Sequence, residues 1–221
     1  MILGYMHCYT IGPWQTIINE QVQKLKTSGL WDATQTIHIG LLGNEPFHLT
    51  DNKLQIHDGG PHPEKYEGHT LNILQQTCTP QDHVWYTHTK GVSHASNPHT
   101  YQCVNNWRRL LEYFVIEHHQ KCYQALQNGH DIAGALWIHG PFPHFSGNIW
   151  WATGKHSTNL PQVTTWAQDT NHTMPERYQY EFWIGSTPCQ VLNLHNDPRS
   201  YQYPYLYVTD VGNSYRKNKI Y

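Results

Sequence analysis

Apolar runs and amphipathic stretches alternate along the N-terminal half of the chain. Short runs rich in β-branched and aromatic residues predict strands at 2–9, 36–42, 53–57 and 84–86. Between the first two strands, Ile18, Val22 and Leu25 share one face of a predicted helix, which Gly29 ends. A second helix is predicted at 70–77. This alternation of strands and helices is typical of a parallel sheet.

The C-terminal half contains one long helix and several shorter elements. The predicted elements are a polar loop at 92–100, a helix at 101–126, a strand at 132–138, an apolar run at 149–152, a helix at 176–183 and a strand at 191–194. No repeat and no change of composition divides the chain. Residues 1–221 are therefore predicted to form a single domain, with an irregular, tyrosine-rich tail from about residue 198.

The order of the elements predicts an α/β, Rossmann-like fold, with a mostly parallel central sheet flanked by helices on both faces. In sheets of this kind, ligands bind beyond the carboxyl ends of the strands. The first candidates for ligand binding are therefore the residues that end or follow strands. They are Tyr9, Thr10, Gly43, Asn44, His57, Asp58 and the segment 88–91.

Composition excludes several classes of protein. Charged residues make up 14% of the chain and the formal net charge is -2, which argues against nucleic-acid binding through phosphate charge. The 9 Trp, 15 Tyr and 5 Phe supply too much aromatic surface for a disordered chain. No run approaches the roughly 20 apolar residues that span a bilayer, and a secretory signal is not recognisable. The scattered cysteines, without a CxxC pair, indicate reduced thiols and a cytoplasmic location.

Several familiar catalytic motifs are absent from the sequence. No Gly-x-Gly-x-x-Gly or P-loop follows the first strand, which argues against the NAD-binding and ATP-binding folds that use them. The Gly-x-Ser-x-Gly elbow and the His-Glu-x-x-His zinc motif are also missing. Because the 18 histidines are scattered rather than grouped at metal-ligand spacing, no zinc site is predicted.

The first candidate site is a turn rich in hydrogen-bond donors after the strand at 84–86. His88, Thr89 and Lys90 precede Gly91, so a hydroxyl, backbone N–H groups and one ammonium group follow a buried strand. Such groups suit a phosphate or a diphosphate. The alternative is a solvated turn that binds nothing.

The second candidate site is a Ser-Gly-Asn bend beside two tryptophans. Small residues allow the backbone to approach a ligand closely, and flat indole rings pack against sugars. The alternative is a core strand with a glycine bulge. The candidate sugar-binding or acceptor-binding residues are His144, Ser146, Gly147, Asn148, Trp150 and Trp151.

The third candidate site lies on the helix predicted at 176–183. Glu181 follows Arg177 by four residues, so both lie on one helix face. Phe182 and Trp183 flank the carboxylate and would raise its pKa by excluding water, which suits a general base. A surface ion pair between Arg177 and Glu181 is the alternative.

Together these segments resemble a family of small GT-A-fold glycosyltransferases found in bacterial surface-polysaccharide clusters and in large algal viruses. The matching segments are WYTHTKGVS at 85–93, NWRRLLEYF at 106–114, HFSGNIWWA at 144–152, ERYQYEFWI at 176–184, SGLWD at 28–32 and YEGHTL at 66–71. The resemblance extends over about residues 2–195. It implies a GT-A fold, a UDP-sugar donor and a glycan or glycoprotein acceptor, and for a viral chain a location in the host cytoplasm.

The resemblance also implies roles for individual residues. The donor-binding residues are Tyr9, Thr10, Asp58, Thr70, His88, Thr89 and Arg108, with Tyr9 and Thr10 near the nucleoside. The catalytic residues are Lys90, Arg177 and Glu181. Lys90, Arg108 and Arg177 neutralise the departing diphosphate, and Glu181 activates the acceptor or stabilises positive charge on the sugar.

The chain departs from this family at the metal site. GT-A enzymes carry an Asp-x-Asp motif where this chain has His88, Thr89 and Lys90, and Asp-x-Asp occurs nowhere in the sequence. One possibility is a Mn²⁺ or Mg²⁺ ion held by His88 with Asp58 or a donor phosphate. The other is neutralisation by cationic side chains without a metal. The alternative functions are a lectin-like carbohydrate-binding module and a non-catalytic nucleotide-binding domain.

Overall fold

The computed structural model describes residues 1–167 and 176–196 and has the α/β architecture that the sequence predicts. Its strands are β1 Ile2–Tyr9, β2 Thr36–Leu42, β3 Leu54–Asp58, β4 His83–His88, β5 Ile132–Gly134, β6 Trp137–Ile138, β7 His144–Phe145, β8 Trp150–Thr153 and β9 Val191–Asn193. Its α-helices are α1 Trp14–Ser28, α2 Leu30–Ala33, α3 Gly68–Thr77, α4 Pro98–Glu112, α5 His119–Gln127, α6 Gly154–Asn159, α7 Val163–Ala167 and α8 Glu176–Phe182. Short 3₁₀ turns lie at Pro63–Lys65, Val92–His94 and Trp183–Gly185, and a π-helical turn at Tyr113–Glu117.

Within the described residues, a 7-stranded sheet has the order β3-β2-β1-β4-β8-β5-β9. The strands from β3 to β4 run parallel, and so do β5 and β9. Strand β8 is antiparallel to both of its neighbours. Strands β6 and β7 form a separate antiparallel pair. The sheet is therefore mostly parallel, which confirms the prediction from the alternation of strands and helices.

Alternate residues of the central strands face two separate hydrophobic layers. On one side, Met6, Cys8 and Trp85 pack with residues of α1, α4 and α5. On the other side, Tyr5 and Tyr86 pack with residues of α3, α7 and α8. Helices therefore cover both faces of the sheet, as predicted, and the two sides of each central strand pack against different helices.

Two elements differ from the sequence prediction because the backbone changes course within them. The predicted strand at 132–138 divides at Leu136, whose φ of 63° is left-handed, so that β5 joins the main sheet and β6 pairs with β7. The long predicted helix is interrupted by a π-helical turn, and it begins at Pro98, inside the predicted loop. Asn97 caps this helix by accepting a hydrogen bond from the N–H of Thr100, a signal that apolar periodicity does not contain.

Other predictions concern the cysteines, membrane spans and the tail. All five cysteines are free thiols; Cys8, Cys78, Cys103 and Cys122 are buried and Cys189 is half-buried. Across the described residues, no helix combines the length and the apolar character needed to span a bilayer. The predicted tail from about residue 198 lies outside the described residues.

Candidate active site

A cleft of about 540 Å³ opens where β1, β2 and β4 end. The last residues of these strands, Tyr9, Leu42 and His88, all line it. Residues from the approach to α3, from α4 and from α8 form its walls. The cleft therefore lies at the carboxyl edge of the parallel strands, which is the position that the sequence predicts for a ligand.

Hydrogen bonds connect the turn after β4 to β1 next to the cleft. The N–H of Thr89 donates to the carbonyl of His7 at 2.9 Å, and the N–H of Tyr9 donates to Thr89 Oγ1 at 3.1 Å. The predicted donor-binding hydroxyl of Thr89 thus accepts a hydrogen bond that joins two strands. Thr89 lines the cleft, but part of its hydrogen-bonding capacity serves the fold.

Lys90 is a cation held over an aromatic ring within the cleft. Its Nζ lies 3.8 Å from the ring centroid of Trp107, which projects from α4. Burial lowers the pKa of Lys90, whereas the nearby carboxylates of Glu181 and Glu67 oppose that shift. A partly desolvated cation of this kind interacts more strongly with an anion than a fully hydrated one would.

Arg177 and Glu181 both line the cleft, and the ion pairs found among the described residues do not include the Arg177–Glu181 pair that the sequence offered as an alternative. The guanidinium carbon of Arg177 lies 4.7 Å from the ring centroid of Tyr178. Glu181 Oε1 accepts a hydrogen bond of 2.6 Å from the N–H of Gly147. Arg177 is exposed, and Glu181 is half-buried in the same cleft.

Gly147 contributes to the site through its backbone. Its N–H donates to Glu181, and its carbonyl accepts a hydrogen bond of 2.9 Å from His88 Nε2. Its φ is +91°, and a Cβ at this position would lie 2.6 Å from Leu111 Cδ1 and 3.0 Å from the Trp107 ring. Only glycine satisfies both the conformation and the space. The close approach predicted for the Ser-Gly-Asn bend is therefore to the protein's own side chains.

Glu67 is a residue of the cleft to which sequence reasoning assigned no role. It immediately precedes α3, and its Oε1 lies 3.3 Å from His88 Nδ1. Its Oε2 accepts hydrogen bonds from the Tyr86 hydroxyl at 3.3 Å and from the side-chain amide of Asn148. Burial raises the pKa of Glu67, although its hydrogen bonds and the nearby cations oppose the shift. The helices that follow parallel strands begin at the carboxyl edge of the sheet. A search for ligand-binding residues at helix starts as well as strand ends would therefore have found Glu67.

Arg108, predicted to bind the donor, is a buried structural residue. Its side chain has no exposed surface, and its guanidinium donates to Glu112 Oε1 at 2.7 Å and to Glu20 Oε2 at 2.6 Å. It also donates to the Asn105 side chain. These partners lie on α1 and α4, and Arg108 does not line the cleft. This placement gives no support to the predicted donor contact, and sequence reasoning missed it because Glu20, which completes the ion pairing, is 88 residues away.

Asp58 does not approach His88, which contradicts the predicted shared metal site. It is an exposed residue at the end of β3, where its Oδ1 accepts a hydrogen bond of 2.8 Å from the N–H of Gly60. Strands β2 and β1 separate β3 from β4, so about 14 Å of sheet lies between the two residues at roughly 4.8 Å per strand. Both ring nitrogens of His88 are engaged by Glu67 and Gly147. No cluster of three or more metal-ligating side chains occurs among the described residues.

Trp150 and Trp151, predicted to bind sugar, have no exposed surface. The Nε1–H of Trp150 donates to Asn148 Oδ1 at 2.6 Å, and that of Trp151 donates to the carbonyl of Val115 at 2.8 Å. Their rings pack in the two opposite hydrophobic layers. The burial of both rings agrees with the alternative interpretation, in which this segment is a core strand.

The remaining predicted residues support the site without lining the cleft. Thr10 is buried and accepts a hydrogen bond from the N–H of Glu45, and Thr70 is buried against His7. The other such residues are His144, whose ring packs on Phe182, and the buried Ser146 and Asn148. The predicted direct contacts of these residues with donor or acceptor are not supported, because the cleft surface is made by other groups.

Comparison with known proteins places the chain in a family without assigning it an activity. A search of curated proteins finds no match. A family model described as a domain of unknown function, DUF8361, matches residues 10–202. The match includes every residue that lines the cleft apart from His7 and Tyr9. Because it covers most of the sequence, the chain belongs to the DUF8361 family.

Proposed function

We propose that the protein is a glycosyltransferase that moves a sugar from a nucleoside diphosphate sugar, specifically a UDP-sugar, to a glycan or glycoprotein acceptor. The observation that carries this proposal is the presence of Lys90, Arg177 and Glu181 in one cleft at the carboxyl edge of the sheet. A diphosphate leaving group requires cations, and an acceptor hydroxyl requires a base. The order of the strands, with one antiparallel strand in a mostly parallel sheet, is compatible with a GT-A-like fold.

The proposed reaction replaces one bond at the anomeric carbon with another. The bond from that carbon to the diphosphate oxygen breaks, and its electron pair leaves with UDP. The acceptor oxygen forms the new bond and releases its proton to Glu181. Lys90 and Arg177 stabilise the negative charge that develops on the diphosphate.

The position of each group in the cleft supports this division of roles. Glu181 uses Oε1 to accept a hydrogen bond from Gly147, and among the described residues no donor is bound to its Oε2. That oxygen can therefore accept the acceptor proton. Lys90 is half-buried over Trp107, where its charge is less screened than that of the exposed Arg177. Lys90 is accordingly assigned the larger part of the diphosphate interaction.

Ligand binding and turnover test the proposal separately. In a thermal-shift panel, we expect UDP-sugars to raise Tm, whereas ATP and NAD leave it unchanged. At a ligand concentration of about 100 Kd the native state gains about 2.7 kcal/mol, which corresponds to roughly 5–11 °C for a domain of this size. UDP release in the presence of a glycan acceptor then measures transfer. UDP binding without turnover would indicate a non-catalytic nucleotide-binding domain, and glycan binding without UDP binding would indicate a lectin-like module.

A further inference from the structure

A chain of polar contacts connects the two carboxyl groups of the cleft. Glu67 contacts His88 Nδ1, His88 Nε2 donates to the carbonyl of Gly147, and the N–H of Gly147 donates to Glu181. The chain joins the approach to α3, the end of β4, the bend before β8, and α8. A displacement of Glu67 would therefore be transmitted to Glu181 through two residues.

Counting donors and acceptors fixes the protons in this chain. A carbonyl oxygen only accepts, so the bond to Gly147 requires a proton on His88 Nε2. His88 Nδ1 lies 3.3 Å from Glu67 Oε1, a close polar contact that keeps the ring facing Glu67. Glu67 Oε2 already accepts from the hydroxyl of Tyr86 and the amide of Asn148. One carboxyl oxygen thus accepts two hydrogen bonds, and the other lies against the imidazole.

The environment keeps the imidazole of His88 neutral. Burial raises the pKa of Glu67, and burial together with Lys90 lowers the pKa of His88 to about 4. The charged or titratable groups around the pair are Lys90 after β4, Tyr86 on β4, His7 on β1, Glu112 on α4, and Arg177 and Glu181 on α8. The carboxylates of Glu181 and Glu112 favour a charged His88, but they do not outweigh the loss of solvent.

We propose that Glu67 is a positioning residue of the transfer reaction, which holds the ring of His88 and the side chain of Asn148 and thereby, through Gly147, the carboxylate of Glu181 in the cleft. This inference rests on the proposed function for the role of Glu181. The two carboxyl groups of the cleft then have different roles. Glu67 has both oxygens engaged by the protein, whereas Glu181 keeps one oxygen for the acceptor.

Two substitutions of Glu67 test the inference. Glu67→Gln keeps the shape, and its amide can donate to His88 Nδ1 while its oxygen accepts from Tyr86 and Asn148. Glu67→Ala removes all of these bonds. We expect Glu67→Ala to lower kcat by roughly 10²-fold, the loss typical of a group displaced by about 1 Å, with the Kd for UDP changed less than threefold. Glu67→Gln should restore most of that loss, and the exposed Glu64 supplies a matched control, Glu64→Gln.

A second readout does not depend on activity. In ¹⁵N spectra of the histidine rings, with His88 assigned by a His88→Asn variant, we expect a neutral ring protonated at Nε2 at pH 7. This tautomer should persist in Glu67→Gln and become mixed in Glu67→Ala. If Glu67→Ala does not fold, the Glu67→Gln spectrum and kcat still decide the question.

Three results would overturn the inference. They are a doubly protonated His88 at pH 7, a Glu67→Gln variant as slow as Glu67→Ala, and a Glu67→Ala variant with wild-type kcat. A wild-type protein that turns over no UDP-sugar refutes the proposed function and with it the role in transfer. The ring spectra still establish separately whether Glu67 holds His88.

Discussion

Replacing Arg108 with methionine should destabilise the fold and leave donor binding intact. The substitution removes the hydrogen bonds to Glu112, Glu20 and Asn105 from a position with no solvent exposure. Breaking a buried ion pair costs about 3–5 kcal/mol. Glu112 keeps its ion pair with the ammonium group of Lys24 at 2.7 Å, so we expect a loss of stability at the lower end of this range, about 3 kcal/mol. For a domain of this size that corresponds to a fall in Tm of roughly 6–12 °C.

The neighbouring arginine on α4 is a matched control for this substitution. Arg109 is 43% exposed and contacts Glu20 at 3.1 Å. A surface pair of this kind contributes about 0–1 kcal/mol, so Arg109→Met should lower Tm by less than about 4 °C. Urea unfolding and UDP calorimetry on both variants separate stability from affinity. An Arg108→Met protein with wild-type stability and weakened UDP binding would refute the structural assignment and restore Arg108 to the donor site.

The stability difference should also depend on pH. Burial raises the pKa of Glu112, but Arg108 and Lys24 outweigh that effect and hold it below the ordinary value of 4.5. A depressed pKa stabilises the native state above the unfolded pKa, and this stability is lost as pH falls through the native pKa. The advantage of the wild type over Arg108→Met should therefore be complete near pH 7 and shrink below about pH 4.5. A constant difference from pH 7 to pH 3 would contradict the ion-pair explanation.

Three further substitutions address the cleft and the core. In calorimetry, Lys90→Ala should weaken the binding of UDP by about 1.5–3 kcal/mol and the binding of uridine by much less. Lys155→Ala on the exposed face of α6 serves as the control, and equal losses for both ligands would reduce Lys90 to a role in folding. Gly147→Ala should lower both Tm and the rate of UDP release, because its Cβ would lie 2.6 Å from a Leu111 methyl group; unchanged values would contradict the close contact. Trp150→Ala should cost about 3–5 kcal/mol in urea unfolding, and loss of glycan affinity at wild-type stability would show that the ring is a ligand surface instead.

The sequence predicts the parts of the site that depend on the sheet. A parallel sheet aligns its carboxyl ends, and this rule correctly selects Tyr9 and the segment 88–90 as residues that line the cleft. It also selects Asp58, which lies on the outermost of these strands and is out of reach. The order of the strands in the sheet determines which strand ends lie next to one another. That order depends on long-range pairing that local patterns do not encode.

The burial of aromatic and charged side chains could not be predicted from local sequence. Two adjacent tryptophans on a strand necessarily face opposite sides, and here both sides of β8 are covered, so both rings are in the core. Arg108 lies on a helix whose other face carries Trp107, a residue of the cleft. Whether Trp107 or Arg108 contacts a ligand depends on how α1 packs against α4. Glu20 on α1, which pairs with Arg108, is 88 residues away in sequence.

The end of β4 is held from both faces of the sheet, and this links the buried charges to the cleft. On one face, the side-chain amide of Gln21 donates to the carbonyl of His88 at 2.9 Å and to Glu112 Oε1 at 2.9 Å. On the other face, Glu67 holds the ring of the same histidine. Because successive residues of a strand point to opposite sides, β4 receives both sets of contacts within a few residues. The ion pair of Arg108 and Glu112 therefore supports the strand that presents His88, although neither of the paired residues touches the cleft.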